Sequence, residues 1–256
     1  MIKIDDAFQN GTAFIPFVTC GDPDLETTAG LVKAMAQAGA DLIELGIPFS
    51  DPTAEGPVIQ GANLRALSAG TTTDKVFELV KELRKSVAVP MVFMTYANVV
   101  FSYGADRFLS RAAEAGVQGL ILPDVPFEEK SEFEPLCAKY GLELVSMIAP
   151  TSHQRITAIA REAQGFVYCV SSLGVTGVRS NITTDIGAMV SLVKQAKDIP
   201  AAVGFGISTP EQARAMAATA DGVIVGSAIV KLVAQYGRES IPVVAQYVKT
   251  MKQAMQ

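Results

Sequence analysis

Leu42-Ile43-Glu44-Leu45-Gly46-Ile47 is an apolar, β-branched run interrupted by one carboxylate. A short apolar stretch bounded by turn signals reads as a strand buried on both faces, the mark of a parallel sheet covered by helices. Alternation places Leu42, Glu44 and Gly46 on one face and Ile43, Leu45 and Ile47 on the other. A carboxylate in such a strand costs several kcal/mol to ionise unless paired, so Glu44 should hold its proton near neutrality, as a general acid must. A buried ion pair is the plain alternative, and no Arg or Lys lies nearby in sequence to support it.

Runs of the same kind recur along the chain, eight in all, at 13–19, 42–47, 91–96, 119–122, 142–148, 166–170, 201–205 and 222–225. Between them, segments such as 25–38, 105–115, 128–140, 183–196 and 210–218 space their apolar residues three to four apart, as helices do. Ala38-Gly39, Ala115-Gly116 and Tyr140-Gly141 read as glycine-terminated helix exits. Eight strand–helix repeats in 256 residues have the cadence of an α/β (β/α)8 TIM barrel, and no linker divides residues 1–256 into smaller domains. A doubly wound open sheet is the competing architecture. Residues 3–9 precede the first strand and predict an extra N-terminal helix over the barrel floor. In a barrel, Glu44 would point inward near the mouth.

The chain is 49% apolar and 18% charged with a formal charge of −5, which suits a large buried core and gives no basic footprint for nucleic acid. The opening residues lack the features of a signal peptide, and no apolar run is long enough to span a membrane, so a cytoplasmic protein is expected. Cys20, Cys137 and Cys169 are too far apart for a metal or redox pair and read as reduced core residues. His153, the only histidine, stands beside Thr151 and Ser152 as an ordinary helix entrance. A metal site is not expected.

Gly204-Phe205-Gly206 and Gly226-Ser227 end the seventh and eighth strands, where barrels commonly bind phosphate through backbone amides and a short helix N-terminus. Gly174-Val175-Thr176-Gly177 after the sixth strand adds to that pattern. No lysine falls in a strand, which argues against a Schiff-base aldolase. Acid–base catalysis on a phosphorylated substrate remains, with Glu44 and a second carboxylate from the following loop or from Asp124.

The chain resembles the α-subunit family of tryptophan synthase from end to end. The resemblance rests on Phe17-Val18-Thr19-Cys20-Gly21-Asp22-Pro23, Glu44-Leu45-Gly46-Ile47-Pro48-Phe49-Ser50-Asp51-Pro52, Tyr96-Ala97-Asn98, Pro123-Asp124-Val125-Pro126, Gly174-Val175-Thr176-Gly177 and Gly204-Phe205-Gly206-Ile207-Ser208. It implies retro-aldol cleavage of indole-3-glycerol phosphate to indole and glyceraldehyde 3-phosphate, with no cofactor in this chain. Glu44 matches the family's catalytic glutamate. The second carboxylate is usually the aspartate of Ala-Asp-Gly-Pro; here it is Glu55 in Ala54-Glu55-Gly56-Pro57, a departure that keeps the charge and changes the reach. By the same matching, Gly177, Gly206, Gly226 and Ser227 hold phosphate, and Phe17, Tyr96, Ile148, Tyr168 and Phe205 wall the indole pocket. Thr176 joins the substrate-binding set from the lid-like segment 170–180. The resemblance also implies a β subunit carrying pyridoxal phosphate, in an α2β2 heterotetramer, with the loop 51–61 as a candidate contact. A stand-alone indole-releasing lyase and a weak barrel kept as an allosteric partner are the alternatives.

Overall fold

A computed structural model describes residues 2–170, 185–204 and 206–256. Eight parallel strands, β1 (Ala13–Thr19), β2 (Ile43–Gly46), β3 (Met91–Met94), β4 (Gly119–Ile121), β5 (Glu143–Ile148), β6 (Gln164–Val170), β7 (Ala201–Gly204) and β8 (Gly222–Val225), pair in chain order. The ring closes where Ala13 of β1 pairs with Gly222 of β8. This is a (β/α)8 TIM barrel, and the open sheet is excluded.

Two apolar layers follow from the alternation of side chains. Ile15, Phe17, Leu42, Val92, Met94 and Tyr168 fill the barrel interior. Phe14, Val18, Ile43, Leu45 and Phe93 face outward against the helices. Every residue of β1 and β2 is buried, which is why these strands carry apolar residues on both faces.

The floor is closed by the expected extra N-terminal helix, a short 3-10 helix over Ile4–Phe8. Ile4 and Ala7 join the interior layer, and the Phe8 ring lies 5.7 Å from that of Phe166. The first residues of β4 and β8 leave room for this plug: a Cβ on Gly119 would lie 2.9 Å from Ile4 Cδ1, and one on Gly222 would lie 3.1 Å from Phe8 Cε1.

Gly39, Gly116 and Gly141 have φ of +105°, +93° and +70°, the left-handed conformation expected of helix exits. Two expectations are corrected. The segment 128–140 splits into a 3-10 turn, Phe127–Glu132, and a helix, Glu134–Lys139. Pro135 has no N–H to continue a helix and sits where a new one can begin. The loop expected over 51–61 ends at Gly56, because Pro57 starts the helix Pro57–Ser68. Cys20, Cys137 and Cys169 are buried free thiols. Ser152 caps the helix that begins at His153. Among the described residues, no helix is long and apolar enough to cross a membrane.

Candidate active site

Glu44 lies on the inner face of β2, in register with Phe17 of β1 and Val92 of β3. It is 1% exposed. Its Oε1 has no hydrogen-bond partner among the described residues. Burial pushes its carboxyl up to about 8, so it is protonated at neutral pH. Tyr168 of β6 is buried in the same interior; burial and then the Glu44 charge raise its phenol well above 10.

Glu55 sits in the turn after β2, where its N–H donates to Pro52 O at 3.2 Å. It is 6% exposed. Burial raises its carboxyl to about 7, against the opposing effect of a hydrogen bond from Asn63. That bond, Asn63 Nδ2 to Glu55 Oε2, is 2.9 Å long. Tyr96 stands beside this turn: Ala54 N–H donates to its Oη at 3.2 Å, and its ring lies 5.3 Å from that of Phe49. Burial, then the Glu55 charge, raises the Tyr96 phenol.

Asp124, the other candidate for the second carboxylate, is bound to backbone. Both of its oxygens accept the Ala97 N–H, each at 3.1 Å, at the start of the helix Ala97–Tyr103.

Gly206 and the start of the helix Ser227–Tyr236 are the described parts of the expected phosphate end. Gly206 has φ +85°, a conformation that favours glycine. The helix begins after Gly226 with no side-chain cap, a feature it shares with several other helices, whereas Asp24, Thr72, Ser152, Asp185 and Thr209 cap theirs with side chains. First-turn amides without such a cap suit an anion. Phe17 connects the two ends of the site. A Cβ on Gly46 would meet its Cζ at 2.6 Å, and one on Gly226 would meet its Cβ at 3.5 Å.

Glu44, Phe17 and Tyr168 thus share the interior, Glu55 and Tyr96 share the turn above β2, and Gly226 and Ser227 adjoin Phe17. Ile148 is not brought to this wall. It pairs with Cys169 and belongs to the outer layer between barrel and helices. Thr176, Gly177 and Phe205 lie outside the described residues. Asn63 and Gln60, which hold the Glu55 turn, were missed from sequence. The only available signal was an asparagine among Ile59, Ala62 and Ala66 on a helix.

The family model for the tryptophan synthase alpha chain matches residues 5–256. The chain belongs to the tryptophan synthase alpha chain family. The alpha chain of Lacticaseibacillus casei is 50% identical over 255 residues, covering 100% of this chain and 96% of the relative. The alpha subunit of Legionella pneumophila str. Paris superposes with a TM-score of 0.90 at 36% identity, covering 100% of this chain and 98% of that one. A chain from a tryptophan synthase complex of Pyrococcus furiosus has a TM-score of 0.87 at 35% identity, covering 94% and 98%. The tryptophan synthase alpha reaction is the cleavage of indole-3-glycerol phosphate to indole and glyceraldehyde 3-phosphate, which makes the chain a carbon–carbon lyase of tryptophan biosynthesis.

Proposed function

We propose that Glu44 moves the protons of this cleavage and that Glu55 accepts the indole N–H. Protonated Glu44 gives its proton to indole C3, which turns the ring into a cation that can take up the electron pair of the C3–side-chain bond. When that bond breaks, the pair returns to the ring as indole. The adjacent hydroxyl passes its proton to the Glu44 carboxylate and becomes the aldehyde of glyceraldehyde 3-phosphate. One proton leaves Glu44 and one returns, so the carboxyl ends as it began. The Glu55 carboxylate stabilises the cation through its N–H.

The observation that supports this assignment is the unequal environment of the two acids. Glu44 Oε1 has no hydrogen-bond partner among the described residues, and burial alone raises its carboxyl, while Glu55 Oε2 accepts the Asn63 amide, which opposes the effect of burial there. A carboxyl whose proton is kept by burial and a second one whose charge is favoured by a hydrogen bond suit the two roles.

In this reading, backbone at Gly206, Gly226 and Ser227 takes the phosphate, with Gly177, Thr176 and Phe205 completing the substrate set, and Phe17, Tyr96 and Tyr168 wall the indole. Residues 1–256 act as one domain. The partner is a pyridoxal-phosphate β subunit in an α2β2 heterotetramer, and this chain needs no cofactor of its own. Support for docking at the mouth comes from a cavity of about 380 Å³ lined by Ser50, Asp51, Pro52, Thr53, Gln60 and Leu64, beside the Glu55 turn. Leu64 is 62% exposed there.

Indole release from indole-3-glycerol phosphate, followed with and without a β subunit, tests the reading. Glu55→Ala should lose most turnover in both arms, and Glu55→Asp should stay active. A silent Glu55→Ala would remove Glu55 from the mechanism. Full activity of the isolated chain, unchanged at saturating β subunit, would favour a lyase that works alone.

A further inference from the structure

Asn63 is 5% exposed, and its helix buries Ile59, Ala62 and Ala66 beside it. A buried amide is costly unless both ends are satisfied. Both ends of Asn63 are used on one loop. Its Oδ1 accepts the Phe49 N–H at 3.4 Å, and its Nδ2 donates to Glu55 Oε2 at 2.9 Å. Gln60, three residues earlier on the same helix, donates from Nε2 to the Glu55 carbonyl at 2.8 Å.

We propose that Asn63 is the positioning residue of the second carboxylate, its amide fixing the Glu55 carboxyl at the barrel mouth before substrate arrives. The inference rests on the reading of Glu55 given above. A glutamate has one more rotatable bond than the aspartate usual at this position, and an unrestrained carboxyl would spread over more rotamers. A donor on a rigid helix removes that freedom in advance. The same bond favours the ionised carboxyl against the effect of burial.

Other charged groups nearby are already engaged. The Tyr96 phenol is held un-ionised by burial and by the charges of Glu55 and Asp124. Asp124 accepts the Ala97 N–H. Arg65, two residues beyond Asn63, is bound to Asp22 by two hydrogen bonds of 2.7 and 2.8 Å.

The test is the pH profile of kcat/KM for indole release in the full chain, comparing the parent with Asn63→Ala, Gln60→Ala and Glu55→Ala. Asn63→Asp would keep an acceptor for Phe49 N–H, but it would set a second carboxyl beside Glu55 and raise its pKa by repulsion as well. The uncharged Asn63→Ala therefore decides, with Gln60→Ala as the control that loosens the same loop at the Glu55 carbonyl and leaves the carboxyl untouched. The proposal expects the acid limb of Asn63→Ala to move up by about one pH unit, with kcat/KM about tenfold lower below the limb and nearly recovered above it, and that of Gln60→Ala to stay in place. If Asn63→Ala does not fold, the near-isosteric and uncharged Asn63→Leu carries the test. An acid limb that is unmoved in the uncharged Asn63 variant, or moved equally in Gln60→Ala, with Glu55→Ala inactive, overturns the role of Asn63 alone. A fully active Glu55→Ala overturns it together with the reading of Glu55.

Discussion

Phe17 and Gly46 approach so closely across β1 and β2 that a Cβ on residue 46 would lie 2.6 Å from Phe17 Cζ and 2.8 Å from Cε2. Gly46 shares the inner face with Glu44, two residues earlier, and Glu44 is the register partner of Phe17. The missing side chain at 46 is what lets the ring lie over the mouth beside the buried acid.

Gly46→Ala should therefore force the Phe17 ring off its position. Overpacking of this kind costs about 1–3 kcal/mol, and kcat/KM for indole release should fall with it. Phe17→Leu in the Gly46→Ala background should recover part of the lost stability in urea unfolding. Independent, additive losses from the two changes would show that the contact is not the cause.

The buried carboxyl of Glu44 makes stability depend on pH. Its pKa rises from the usual 4.5 to about 8 on folding. Across that interval the folded chain keeps a proton that the unfolded chain has released, so stability falls as pH rises. Glu44→Gln removes this dependence. Its stability relative to the parent should improve by about 1.4 kcal/mol for each pH unit between the two values and level off above them. Urea midpoints measured across that range check this, and parallel curves for the two proteins would contradict it.

The two glycines proposed to take the phosphate should fail differently. At Gly226, the nearest contacts of an added Cβ lie at 3.5 Å, an ordinary distance. Gly226→Ala should fold nearly as well as the parent and lose much of the thermal protection given by glycerol phosphate, because a methyl would stand at the helix entrance. Gly206 has φ +85°, so Gly206→Val should also lower Tm without ligand, the left-handed backbone costing about 1–2 kcal/mol. Equal protection of the parent and Gly226→Ala would place the phosphate elsewhere.

The strands and the inward aim of Glu44 were legible because a parallel barrel writes both of its buried faces into short apolar runs, and one charge in such a run stands out. The helix Pro57–Ser68 was less legible at its start, since Gly56-Pro57 and Gly61 carry loop composition while Pro57 occupies a position that suits a first helical turn. Asn63 could not be paired with Glu55 from sequence, because their contact exists only once that helix folds back over its own loop. Ile148 was carried over by resemblance to the pocket wall; its register with Cys169 turns it toward the helices.

The proposed role of Glu44 turns on a proton held in the barrel interior, and the direct measurement is indole release from indole-3-glycerol phosphate by Glu44→Gln. The amide fills the same space and carries no transferable acid proton. Indole release should be abolished while the fold and thermal protection by glycerol phosphate stay close to those of the parent. Turnover within a few-fold of the parent would contradict it.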